Sequence, residues 1–185
     1  MTSYFYGTEI LYLALFGRPT DPEGHSWING VTDFWENTDA AIAITYSDEY
    51  QSLFYSTDDV DNLHRDMITK IYQNAFDRAP DAEGLNFYAG QYEEGEDMAT
   101  IALNIVSGAR GDDLDTLTHK VLASKAFTNA LDTAVEIAAY AGDTAAEVGY
   151  AYLDPVNANN MPADGYRQKA EAAVELLVIS DASYI

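Results

Sequence analysis

The chain has 185 residues, 48% of them hydrophobic, which is enough to bury one core or two small ones. Nine Lys and Arg against 31 Asp and Glu leave a formal charge of −22, which argues against nucleic acid, whose phosphates need cationic partners. The same charge disfavours an anionic membrane surface unless divalent cations bridge the two, and the absence of cysteine excludes a disulfide framework, an Fe–S cluster and a thiol nucleophile.

Helical spacing of Tyr6, Ile10, Leu13 and Gly17 predicts a first helix over 4–17. Pro19 stops it. Asp21 follows as an N-cap, Pro22 takes the first helical position and Glu23 the first turn, which predicts a second helix over 21–35. Thr38 or Asp39 caps a third helix, and Ser47 caps a fourth with Tyr50 and Phe54 facing inward. After the polar break at 56–59 the plan repeats over 63–77, 81–93 and 97–107. The repetition is literal. Tyr12 and Tyr72, Phe16 and Phe76, Arg18 and Arg78, Asp21 and Asp81, Glu23 and Glu83, Gly24 and Gly84 all differ by 60, the mark of a duplicated unit.

These eight polar or glycine positions (Arg18, Asp21, Glu23, Gly24, Arg78, Asp81, Glu83 and Gly84) are read as a helix-hairpin staple. Each arginine is expected to pair with a nearby acid across its turn. A glycine inside a helix costs roughly 1 kcal/mol against alanine, so its recurrence predicts close approach of another backbone or ring.

The stretch 107–115 reads as an acidic loop inserted into the second unit. Helical spacing resumes at Leu114, Leu117 and Val121, Ser124 to Leu131 parallels Ser47 to Phe54, and alanine-rich helix continues to about Tyr140. Thr144 and Glu147 read as a capping box. The last helix places Tyr166, Ala170, Ala173, Val174 and Leu177 on one face. The expected fold is all-α, a compact helical bundle built on two duplicated helix-hairpin units plus C-terminal helices. Its parts are unit 1 (1–62), unit 2 with the acidic insertion (63–131) and a C-terminal segment (132–185) packed on both.

Chemistry is sparse. His25, His64 and His119 stand far apart with no second ligand at i+4, and no HExxH, GxSxG or phosphate-cradling glycine loop occurs. His64 on its apolar stripe reads as a packed histidine. The chain is therefore expected not to be an enzyme. Calcium is the one candidate cofactor, at Asp58, Asp59 and Asp61 or at Asp112, Asp113 and Asp115, although the first cluster fails the EF-hand register with His64 and Lys70 where Gly and Glu are required. Trp35, Tyr88 and Tyr92, near the ends of the repeat helices, are candidate sugar-stacking rings, each an apolar face, with a polar handle on Tyr and Trp.

The motif YxxxFxRxxDxEGxxx(W/F), running from Tyr12 to Trp27 and from Tyr72 to Phe87, resembles a helical repeat of unassigned function found in bacterial surface-layer (S-layer) and RTX-type secreted proteins. That repeat is distantly similar to phycobilisome linker repeats. The continuation from Asn104 to Leu131 also looks like the segment that follows such repeats. The resemblance implies a non-catalytic, N-terminal anchoring domain at the cell surface. Its implied partners are lipopolysaccharide O-antigen and other copies of itself in a lattice, with export by type I secretion and no cleaved signal peptide. No basic-then-apolar leader is seen, no apolar run approaches the roughly 20 residues that span a bilayer, and Met1 reads as a true start. The alternative is a protein–protein scaffold like a phycobilisome linker, which is typically basic where this chain is acidic.

Overall fold

The computed structural model describes residues 7–24, 26, 42, 44–54, 62–141 and 143–182. All secondary structure among them is helical. The helices are α1 (Gly7–Phe16), α2 (Asp48–Phe54), α3 (Leu63–Phe76), α4 (Ala82–Glu93), α5 (Met98–Ser107), α6 (Asp112–Ala130), α7 (Ala134–Ala139), α8 (Asp143–Leu153) and α9 (Arg167–Ala182). A further helix begins at Pro22 and is described through Gly24. No helix among the described residues is long and apolar enough to cross a membrane.

Helix α1 is the axis of the bundle. Every residue from Leu11 to Phe16 is buried, so it is apolar all round and needs cover on every side. That cover comes from α3, α5 and α6. Helix α4 lies against α3 and α5, α9 along α6 and α7, and α8 against α9 and α6. The apolar face expected of the last helix is found: Tyr166, Ala170, Val174 and Leu177 are all buried.

The caps follow local chemistry. Asp21 and Asp81 each accept from the amide of the glycine three residues on, Gly24 and Gly84, at 2.7 Å. Ser47 accepts from Tyr50 N at 3.2 Å and Asp97 from Thr100 N at 2.8 Å. Each satisfies an amide that has no partner within its helix.

Three expectations are corrected. Asp112, Asp113 and Asp115 lie in the first turn of α6, so the connection is only the short turn after α5, and three carboxylates there favour the positive end of the helix dipole. Helix α6 runs unbroken through Ser124 and ends at Ala130, so Ser124 opens no helix and the break falls at Leu131–Thr133. The capping box is Thr133 with Glu136: Glu136 N donates to Thr133 Oγ1 at 3.3 Å and Thr133 N to Glu136 Oε2 at 2.9 Å. Thr144, expected to cap, is already helical, because α8 starts at Asp143.

Candidate functional site

The duplicated motif resolves into the same small device twice. Arg18 lies over the rings of Tyr12 and Phe16, its guanidinium carbon 5.1 and 5.9 Å from their centroids. Arg78 lies over Tyr72 and Phe76 at 5.3 and 5.9 Å. Each arginine also donates to the next carbonyl, Pro19 O at 3.3 Å and Ala79 O at 3.0 Å. The Tyr-x-x-x-Phe spacing sets two rings on one helical face, and a residue just past the helix end folds back over them.

The glycines are explained differently from the sequence reading. A Cβ on Gly24 would meet Thr20 Oγ1 at 2.9 Å and Asp21 Oδ2 at 3.3 Å; one on Gly84 would meet Asp81 Oδ1 at 3.2 Å and the Tyr72 hydroxyl at 3.3 Å. The capping carboxylate crowds both glycines, joined by the nearer Thr20 hydroxyl at Gly24 and by the hydroxyl of the Tyr72 ring at Gly84; no second backbone is among the near atoms. Glu23 and Glu83 are exposed in their first turns.

The expected arginine pairing is also corrected in unit 2. Arg78 clamps Asp113, 35 positions away on α6, through Nε at 2.7 Å and Nη2 at 2.6 Å. Those hydrogen bonds hold its pKa above the ordinary arginine value. In unit 1 Arg18 is buried, donates to Tyr12 OH at 3.1 Å and is roofed by the Tyr140 ring at 5.4 Å. The Tyr140 hydroxyl in turn donates to Pro19 O at 2.8 Å.

The two units meet at α1 and α3 through a contact between equivalent positions. Asn74 Nδ2 donates to the Ala14 carbonyl at 3.0 Å. Alanine cannot return the bond, and the Asn74 carbonyl is met instead by the buried Lys120 Nζ at 2.9 Å. Burial pushes the Lys120 ammonium's pKa down, while Asp77 and Asp154 pull it up.

The candidate binding surface is a groove of about 500 Å³ between the end of α4 and the turn before α2. Tyr50, Met67 and Met98 are its buried floor. Tyr46, 77% exposed, and Tyr92, 37% exposed, stand at its sides. The Tyr92 ring is braced by His64, stacked at 5.2 Å with planes 4° apart, and His64 Nε2 lies 3.3 Å from Glu93 Oε1. Gln51 donates to Thr45 O at 2.7 Å, which fixes its amide at the rim. Asp97 is committed to Thr100, leaving the exposed Glu96 as the other carboxylate of the lining.

Of the candidate rings, Tyr92 is in this groove. Tyr88 is half-buried, its ring 5.1 Å from Phe87 and 6.5 Å from Tyr72, and burial raises its hydroxyl's pKa. Trp35 lies outside the described residues, as do Asp58, Asp59 and Asp61. Sequence reasoning missed Tyr46 and the exposed Phe87, because a tyrosine just before a helix carries no local sign of which way it faces. Among the described residues no group of three His, Cys, Asp or Glu is placed to hold a metal ion. At Asp112, Asp113 and Asp115 an incoming calcium would have to take Asp113 from Arg78.

A family model described as a domain of unknown function, DUF4214, matches residues 41–109. The matched segment contains α2 to α5 and every residue that lines the groove, but not the first copy of the motif. No curated protein matches the chain, and no solved structure does.

Proposed function

We propose that this chain is a non-catalytic cell-surface anchoring domain of an S-layer-like protein, binding lipopolysaccharide O-antigen glycan and supporting lattice assembly. The groove between Tyr46 and Tyr92 carries the reading. It sets two accessible phenol rings beside an amide, a hydroxyl and a carboxylate over an apolar floor, the mixture that sugar recognition uses. A site this open binds one sugar weakly, so firm attachment comes from many copies in a lattice engaging many chains at once. Calcium belongs to the proposal as the ion that bridges acidic copies to one another and to an anionic glycan.

The test is cosedimentation with outer-membrane vesicles that carry or lack O-antigen. Binding is expected only to the first kind, and Tyr46→Ala or Tyr92→Ala is expected to weaken it by about tenfold, the worth of one aromatic contact near 1.4 kcal/mol. Equal pelleting with both kinds of vesicle sinks the proposal. A second reading, a linker-like protein scaffold, is favoured by one observation: Leu176 and Ile179 on α9 and Val135 on α7 are exposed aliphatic side chains. Capture of a protein partner that Leu176→Glu abolishes, with no glycan binding, selects it.

A further inference from the structure

Glu9 stands in the first turn of α1 and is 1% exposed. Its carboxyl meets two side chains of α6. Ser124 Oγ donates to Oε2 at 2.7 Å, and Thr128 Oγ1 lies 3.2 Å from Oε1. The Thr20 backbone amide donates to it as well. The sequence reading passed over this residue, since an acid in a first helical turn is ordinary.

Counting hydrogens favours one state over the other. The Thr128 hydroxyl owns one hydrogen and is surrounded by three oxygens: Thr20 O at 2.7 Å, Ser124 O at 3.2 Å and Glu9 Oε1 at 3.2 Å. The first two are carbonyls and can only accept. The hydrogen is best used at the shortest contact, Thr20 O. The contact to Glu9 is then a hydrogen bond only if Glu9 supplies the proton. With Oε1 protonated, a chain runs from Glu9 to Thr128 to Thr20 O while Ser124 donates to Oε2, and every group is satisfied. With Glu9 ionised, Thr128 can donate to Oε1 only by withdrawing its one hydrogen from Thr20 O, its shortest contact.

We propose that Glu9 is carried as a neutral carboxylic acid and acts as a proton-dependent latch that ties α1 and the turn after it to α6. The surroundings agree. The buried residues of α3 and α5, which pack on α1, are apolar apart from Asn74. On α6 the cations are Lys125, whose field opposes the effect, and Lys120, whose ammonium is held by α3 carbonyls. Burial outweighs the hydrogen bonds and Lys125 and pushes the Glu9 pKa up to about 7. The sign follows. The folded chain binds this proton more tightly than the unfolded one, so the latch contributes fully below about pH 4.5 and its contribution is lost as pH rises to about 7.

The experiment compares the full chain with Glu9→Gln by denaturant titration from pH 4.5 to 8, and follows the Glu9 carboxyl by carbon NMR. Glutamine presents the same donor and acceptor without a proton to lose. The wild type is expected to lose stability relative to Glu9→Gln across that window, matching a roughly 300-fold tighter proton in the folded state. The carboxyl signal is expected to titrate near 7, and α1 amides to exchange faster above that point while α9 amides do not. A carboxyl midpoint near 4.5 overturns the neutral acid, and it does so on the native chain even if Glu9→Gln fails to fold. A stability difference that stays flat with pH, or α1 exchange that stays flat, overturns the latch.

Discussion

The turn after α1 and the turn after α3 are built from the same residues and live in different surroundings. Both have an arginine over a Tyr–Phe pair, a carbonyl accepting from it, and an aspartate on a glycine amide at 2.7 Å. In the first, Tyr140 closes over the arginine, which is buried. In the second, Arg78 is exposed and Asp113 holds it from the side. The device is locally complete, which is why it survives in both settings, but its energetic weight is set by what covers it. A buried guanidinium lying over three rings loses packing as well as charge when it is cut away. An exposed arginine–carboxylate pair is worth little after water and salt have screened it.

Cutting each arginine is the most direct way to break the equivalence. Arg18→Ala is expected to cost about 3 kcal/mol in urea unfolding, because it opens a cavity and strips the Tyr12 hydroxyl and Pro19 carbonyl of a donor. Arg78→Ala is expected to cost about 1 kcal/mol or less, and less again in high salt. Equal losses would mean that the Tyr140 roof adds nothing.

The crossing of α1 and α3 sharpens the comparison from the other side. Lys120→Met keeps the aliphatic stem and removes the donor from Asn74 O, with an expected loss of about 2 kcal/mol, within the range for leaving a buried acceptor bare. Asn74→Ala strips the Ala14 carbonyl and is expected to cost about as much. The two should be non-additive, since both changes act on one crossing. Double-mutant unfolding measures this.

The smallest expected difference is at the caps. Asp21→Ala and Asp81→Ala should each cost about 1 kcal/mol, in thermal or chemical unfolding alike. Near-equal values would show that the cap is indifferent to the roof above it; a gap much beyond 1 kcal/mol would show that it is not.

What the sequence made legible is what short-range chemistry determines. The 60-residue offset exposed the duplication, and Asp21, Ser47 and Asp81 could be assigned as caps because an acid or hydroxyl before an apolar run has few other uses there. The fold class and the bounds of α3, α4 and α5 follow from the same signals. Long-range choices were hidden. Nothing near Arg78 announces Asp113, and the nearby Asp81 was the obvious partner. Thr133 and Thr144 head the same four-residue pattern, so local reading could not rank them. Glu9 drew no reading at all, because its burial depends on which face of α6 arrives opposite. Half of the groove was legible, as Tyr92, and half was not, as Tyr46, for the same reason.

Gly17 has a consequence for which halves of this molecule can recognise each other. A Cβ there would fall 2.5 Å from Asn74 Oδ1, so the hydrogen atom of glycine is the keyway and the asparagine is the key. Sixty positions on, the keyway is replaced by Asp77, and sixty positions back the key is replaced by Ala14. Two first units brought together would have two keyways and no key. Two second units would have two keys driven against aspartate side chains. At this crossing only unlike units set a key opposite a keyway, so the contact between the two copies of the motif is directional where the duplication alone would make it symmetric.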